Sequence, residues 1–221
     1  MSVAGYLHEF AVRSVAVLGG NVETSILLRY RGVSMRAASS NAAAARCDQV
    51  EARSGEGLCV DAMDSGDLLI VRDLASEVRW RDWREAAAKE GFVTAAAVPA
   101  EILEGMSLAL NVYSRSPIDW TEEVQQVIGA YAELAAAAVR LHLEREPAEL
   151  ESELASEPSG ADDPGVVERA VGAIMHANGC RAEEARELIA TSAQNAELSQ
   201  RAVALTILRA LVPGEGDRTT V

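Results

Sequence analysis

Aromatic side chains make up only 4% of this 221-residue chain, although 49% of its residues are hydrophobic. Its interior must therefore be aliphatic and rich in alanine. Lysine is nearly absent: of 20 basic residues only Lys89 is a lysine. Any phosphate contact would fall to arginine, whose planar fork suits bidentate recognition of phosphate and guanine. Positive charge is short overall, and the net charge of −14 excludes generalised attraction to nucleic acid or anionic lipid, though not a local site. Cysteine is sparse: Cys47, Cys59 and Cys180 cannot all pair within one chain, and no CxxC occurs, which fits a reducing cytoplasm. His8, His142 and His176 lie far apart in sequence. With no metal-like cluster, phosphate-binding glycine loop or nucleophile triad, no metal, cofactor or catalytic residue is expected. No segment reaches the ~18 apolar residues of a membrane span. The N-terminus lacks the basic start and apolar run of a signal peptide, so a cytoplasmic protein without membrane attachment is expected.

Charge and proline divide what is there. Residues 144–164 carry eight acidic side chains against Arg145 alone, and Pro147, Pro158 and Pro164 interrupt any helix. They read as an acidic linker between a domain at 1–143 and a small helical module at 165–212, with a flexible tail at 213–221. In the first domain, apolar patterning predicts helices at 6–18, 42–51, 80–90 and 119–143. It predicts strands at 24–30, 33–39, 68–71, 92–99 and 106–114. Short neighbouring strands imply an antiparallel sheet covered by helices, an α+β domain. In the last helix of this domain Trp120, Val124, Val127, Ile128, Tyr131, Leu134, Ala135, Ala138 and Leu141 recur at steps of three and four, as one stripe. That stripe either packs on the sheet or, helped by the alanines at 135–138, joins a partner helix; a homodimer is the favoured reading.

The module reads as three short helices, at 166–178, from about 181, and at 198–211, separated by very small turns. Such a trio has a thin core and gains by packing against a partner copy or the first domain. It has no room for a catalytic pocket.

The segment RAVGAIMHANG at 169–179, followed by CRAEEARELI, resembles the ANTAR module of transcription antitermination regulators. Upstream, the segment at 46–74 with its SGEGLCVDA turn, then RWRDW and LALNVYS, resembles the GAF domain that often precedes ANTAR in actinobacterial proteins. The resemblance implies a six-stranded antiparallel GAF sheet with helices, usually a dimeric small-molecule or redox sensor, followed by an all-helical RNA-binding module. It also implies that two modules of a dimer bind tandem hairpins in a leader RNA. No enzyme activity is implied. The chain departs from the family where a basic residue of the first helix corresponds to Val171, an aromatic to Arg186, and the basic end of the second helix to Ile189-Ala190. Five arginines of 165–212 are matched by five glutamates.

Arg169 and His176 lie two helical turns apart and share a face with Gly172 and Met175 nearby; Arg186 and Arg201 could join from the other helices. These six are the candidate RNA contacts, with a loop base stacking on arginine or histidine because the module has no aromatic ring. Alternatives are a dimeric protein-interaction module that has lost RNA affinity, and DNA binding in a helix-turn-helix manner. In the first domain Cys47, Cys59, Trp80 and Trp83 are the candidate sensor residues. The cysteines act either structurally or as a redox pair beside Arg46 and Arg53, with a cysteine-based enzyme as a remote third reading. The tryptophans either lid a small-molecule ligand or seal the sheet.

Overall fold

The computed structural model describes residues 3–145 and 164–211. The acidic segment and the C-terminal tail expected from the sequence therefore lie almost wholly outside the described residues.

Strands β1 (Glu23–Tyr30), β2 (Val33–Ser39), β3 (Leu69–Val71), β4 (Thr94–Leu103) and β5 (Met106–Ser114) form one antiparallel sheet in the order β2-β1-β5-β4-β3. The sheet thus has five strands among the described residues, not six. Side chains alternate between its faces because a strand repeats every two residues. Ile26, Leu28, Ala96, Val98, Leu108, Leu110 and Val112 enter a core beneath α1 (Val3–Val17) and α5 (Glu122–Arg145). Leu27, Ala95, Ala97, Ala109 and Tyr113 enter a second core beneath α2 (Ala42–Ser54), α3 (Leu58–Ser65) and α4 (Arg81–Lys89). Burial on both faces explains the nearly continuous apolar runs of β4 and β5.

β4 runs four residues past the expected stop at Pro99. The proline pairs with Ala109 of β5 on one side, while β3 reaches only Ala97 on the other. Its missing N–H therefore falls where no strand needs it. Helix α3 was not anticipated. It starts after Gly57 without a side-chain cap of its own residues; instead Glu51 of α2 accepts from the Cys59 N–H at 2.9 Å. Helix α2, by contrast, has a local signal: Asn41 accepts from the Ala43 and Ala44 N–H groups, and Gly55 ends the helix in the left-handed conformation.

Helix α5 corrects the single-stripe reading. Ile128, Ala132, Ala135, Ala136 and Val139 pack on the sheet, while Val127, Leu134 and Leu141 are exposed, as are Val12 and Val17 of α1. The helix has two apolar faces.

The C-terminal helices α6 (Pro164–Asn178), α7 (Ala182–Ala196) and α8 (Gln200–Leu211) pack around Ala170, Val171, Ile174, Ala185, Ile189, Val203, Ala204 and Ile207. That core also includes Val33 and Met35 of β2, each 1% exposed. β2 is the outer strand of the sheet, so the module docks on the sheet edge of its own chain. Helix α8 touches α1 on one side of the sheet and α6 touches α2 on the other.

Candidate nucleic-acid interface

Helix α6 forms because its apolar residues recur on one face; its buried side carries Val166, Ala170, Val171, Ile174 and Ala177. The opposite side presents Arg169, Gly172, Met175 and His176 together, all exposed. A Cβ added at Gly172 would meet nothing within 4 Å, so this glycine is not needed for helix packing and instead leaves the surface low. Val171, where the family has a basic residue, lies in the core at 2% exposure. A charge there would face the module's interior, so the departure follows from how this helix is docked.

The other arginines are placed less favourably. Arg186 of α7 lies beside α6 but pairs with Glu168 at 2.9 Å. Arg181 pairs with Glu184 at 3.1 Å, and Glu184 also accepts the Arg181 N–H at 2.8 Å to cap α7. Arg201 of α8 is half-buried, and its Nε is enclosed with no hydrogen-bond partner among the described residues. Of the six candidates the structure therefore brings four together as a free stripe, adds Arg186 in neutralised form, and leaves Arg201 the least accessible.

The sensor candidates form an interior. Trp83 is fully buried and Trp80 nearly so. Their rings meet edge to face at 5.7 Å, and Phe92 stacks on Tyr113 at 4.9 Å. Trp80 is not part of α4: it precedes the helix with φ 46°, and its Nε1 donates to Asp61 at 2.9 Å. These rings seal the sheet. Cys47 and Cys59 are wholly buried. Burial, then the negative charge of Asp48 and Glu51, raises the pKa of both thiols above the ordinary thiol value. Arg46, expected to favour a thiolate, is instead clamped to Glu90 at 2.6 and 2.7 Å. Both are neutral core thiols, which corrects the redox-pair reading.

What the sequence reading missed is the acid pair between them. Asp48 and Glu51 lie one helical turn apart on α2 and both are fully buried. Asp48 Oδ1 accepts from Ser25 Oγ at 2.7 Å, Asn111 Nδ2 at 3.0 Å and the Tyr113 hydroxyl at 3.2 Å. Asp48 Oδ2, Glu51 Oε2 and Asn111 Oδ1 have no hydrogen-bond partner among the described residues. Desolvation pushes both carboxyls upward, and the charge of Asp48 raises Glu51 further. A signal existed: two acids at i and i+3 on the face that also carries Cys47, within a helix of small residues.

The family profile of the GAF domain matches residues 7–140 and that of the ANTAR domain matches residues 161–208. The chain belongs to the GAF family and carries an ANTAR domain. GAF and ANTAR are regulatory domains, so this is a regulator with a sensor-type domain ahead of its output module. Among solved structures, the GAF domain/HD domain protein from Geobacter sulfurreducens shares the sensor fold, with TM-score 0.51 and 16% identity over 64% of this chain and 94% of that one. A GAF domain region from Geobacter sulfurreducens PCA has TM-score 0.48 and 18% identity, covering 63% and 93%. The type II free methionine-R-sulfoxide reductase from Thermoplasma acidophilum has TM-score 0.42 and 13% identity, covering 62% and 93%. No curated protein sequence matches the chain. Among the described residues of this GAF–ANTAR regulator, no helix is long and apolar enough to cross a membrane.

Proposed function

We propose that this GAF–ANTAR protein is a cytoplasmic, dimeric RNA-binding antitermination regulator. In this reading the exposed stripe of α6 contacts a leader-RNA hairpin, and the partner's identical stripe contacts a second hairpin. The observation that carries the reading is the exposure of Arg169, Gly172, Met175 and His176 on the side of α6 turned away from the sensor. Arg169 would meet phosphate, Gly172 would allow close approach of backbone or base, and Met175 and His176 would offer a surface on which an unpaired base stacks. The second copy would cover Val127, Leu134 and Leu141 of α5, which recur every seven residues on an exposed face.

A titration of tandem-hairpin RNA at two salt concentrations tests the reading. The wild-type protein is expected to bind in a salt-dependent manner. Arg169→Ala should weaken binding and flatten the salt dependence by about 0.7 in log K against log salt for each hairpin held, the contribution of one phosphate contact to a single strand. Absence of any salt-dependent binding by the wild type would refute it. The pairing of Arg181 and Arg186 with glutamates favours the second reading, a protein-interaction module without RNA affinity; wild-type protein that dimerises but leaves RNA unbound would support that instead.

A further inference from the structure

The two arginines that glutamates neutralise are held in different ways. Arg181 and Glu184 lie one turn apart at the start of α7, and Glu184 also accepts the Arg181 N–H at 2.8 Å, so its carboxylate is needed to begin the helix. Arg186 of α7 is held instead by Glu168, the one acidic residue of α6. Its guanidinium grips that carboxylate as a fork: Nε and Nη2 donate to Oε1 at 3.2 and 3.1 Å, and Nη2 donates to Oε2 at 2.9 Å. The Glu168 carboxylate has no other hydrogen-bond partner among the described residues. The two side chains remain 48% and 54% exposed. An ion pair this open to water adds little to stability, so nothing structural keeps it closed.

Glu168 also lies where RNA would arrive. Residues 168, 172 and 175 recur at steps of four and three, which places Glu168 within the exposed stripe, one turn before Gly172 and two before Met175. A phosphate approaching that face meets a negative charge already seated on a positive one. A phosphodiester and a carboxylate each carry one negative charge and offer paired oxygens. The planar arginine fork accommodates either.

We infer that, where the α6 stripe is read as an RNA surface, Glu168 is the residue that sets its affinity: it fills the Arg186 fork as a stand-in for phosphate, and RNA binds by exchanging one for the other. The free module is thereby kept neutral on this face, which holds back loose attachment to other polyanions. A bound hairpin releases Glu168 to water and gains Arg186 in addition to Arg169. Arg181, whose partner is committed to the start of α7, stays out of the exchange.

Titration of a single-hairpin RNA with the full chain at one salt concentration tests this. Glu168→Gln keeps the side-chain length and removes the competing charge; it should tighten binding by about two- to five-fold, the worth of one exposed ion pair. In an Arg186→Ala background most of that gain should disappear, because it comes through the freed fork. An equal gain in both backgrounds would reduce Glu168 to a general repulsion of RNA and overturn the proposal. So would a wild-type protein that binds while Glu168→Gln binds no more tightly, a result that leaves the RNA surface itself standing. Binding by neither protein would remove both. Amide hydrogen exchange in α6 and α7 should be the same in the wild type and in Glu168→Gln. Faster exchange in the variant would make the pair a structural clamp and count against the exchange of partners.

Discussion

Single residues in the sensor carry unusual burdens. A Cβ at Gly57 would lie 2.2 Å from Glu51 Oε1, so this glycine is the space in which the buried carboxyl sits. Glu51 in turn receives the Cys59 N–H and so starts α3. Its pKa is raised by burial, so the folded protein binds a proton more tightly there than the unfolded chain, whose glutamates titrate near 4.3. Stability from Glu51 is therefore complete below that value and is lost as pH rises through the folded pKa. Urea unfolding across the neutral range should show stability falling with rising pH, by at most about 1.4 kcal/mol per pH unit for this group. Glu51→Gln should flatten that decline; a slope unchanged by the substitution would contradict the assignment. The same residues show the limit of sequence reading. Asp48 and Glu51 look like ordinary solvated acids on an alanine-rich helix, because the burial of that face depends on α3, whose start is coded eight residues away in Glu51 itself.

At the scale of elements, α5 divides its apolar residues between two faces. The inner row belongs to the sheet, and the outer row of Val127, Leu134 and Leu141 is exposed, where the proposed dimer would cover it. Leu134→Glu would place a charge at the centre of that outer row without touching the residues packed on the sheet. It should shift sedimentation from dimer to monomer at micromolar concentration while leaving the far-UV spectrum unchanged; a wild-type monomer would remove the proposed interface. The sequence showed β1, β2 and β5 within a residue or two, because their apolar runs are bounded by turns. The α6 stripe was equally readable, since helical spacing alone gathers Arg169, Gly172, Met175 and His176. It did not reveal that Arg186 and Arg181 are neutralised, because Glu168 lies on another helix and Glu184 serves the α7 cap. Nor did it separate the two rows of α5, because neighbouring members such as Val127 and Ile128 lie only about 100° apart around the helix.

For the molecule as a whole, the sensor and the module share a core. Val33 and Met35 belong to the sheet by backbone and to the three-helix module by packing. Met35→Ala should cost about 2–5 kcal/mol, as for other buried Met-to-Ala changes. Its effect should appear in the module as well as in the sensor: amides of α6 and α8 should lose protection together with those of β2. Full retention of module protection would mean that the three helices fold without the sheet. Asn178 looked like no more than a helix stop beside Gly179, and nothing near it in sequence names Ser34 as its partner, 144 residues away.

That separation has a consequence for how the chain is made. β2 leaves the ribosome long before α6, so through most of synthesis its outer N–H and C=O groups are bare and Met35 has no helix to cover it. An unpaired strand with exposed apolar side chains is a template for pairing with another nascent chain. The closure that removes this hazard joins residues 144 apart in sequence and carries the slow kinetics of distant contacts. The ANTAR helices thus act as their own chain's late guard against aggregation, and truncation before α6 should yield a sensor that sticks to itself.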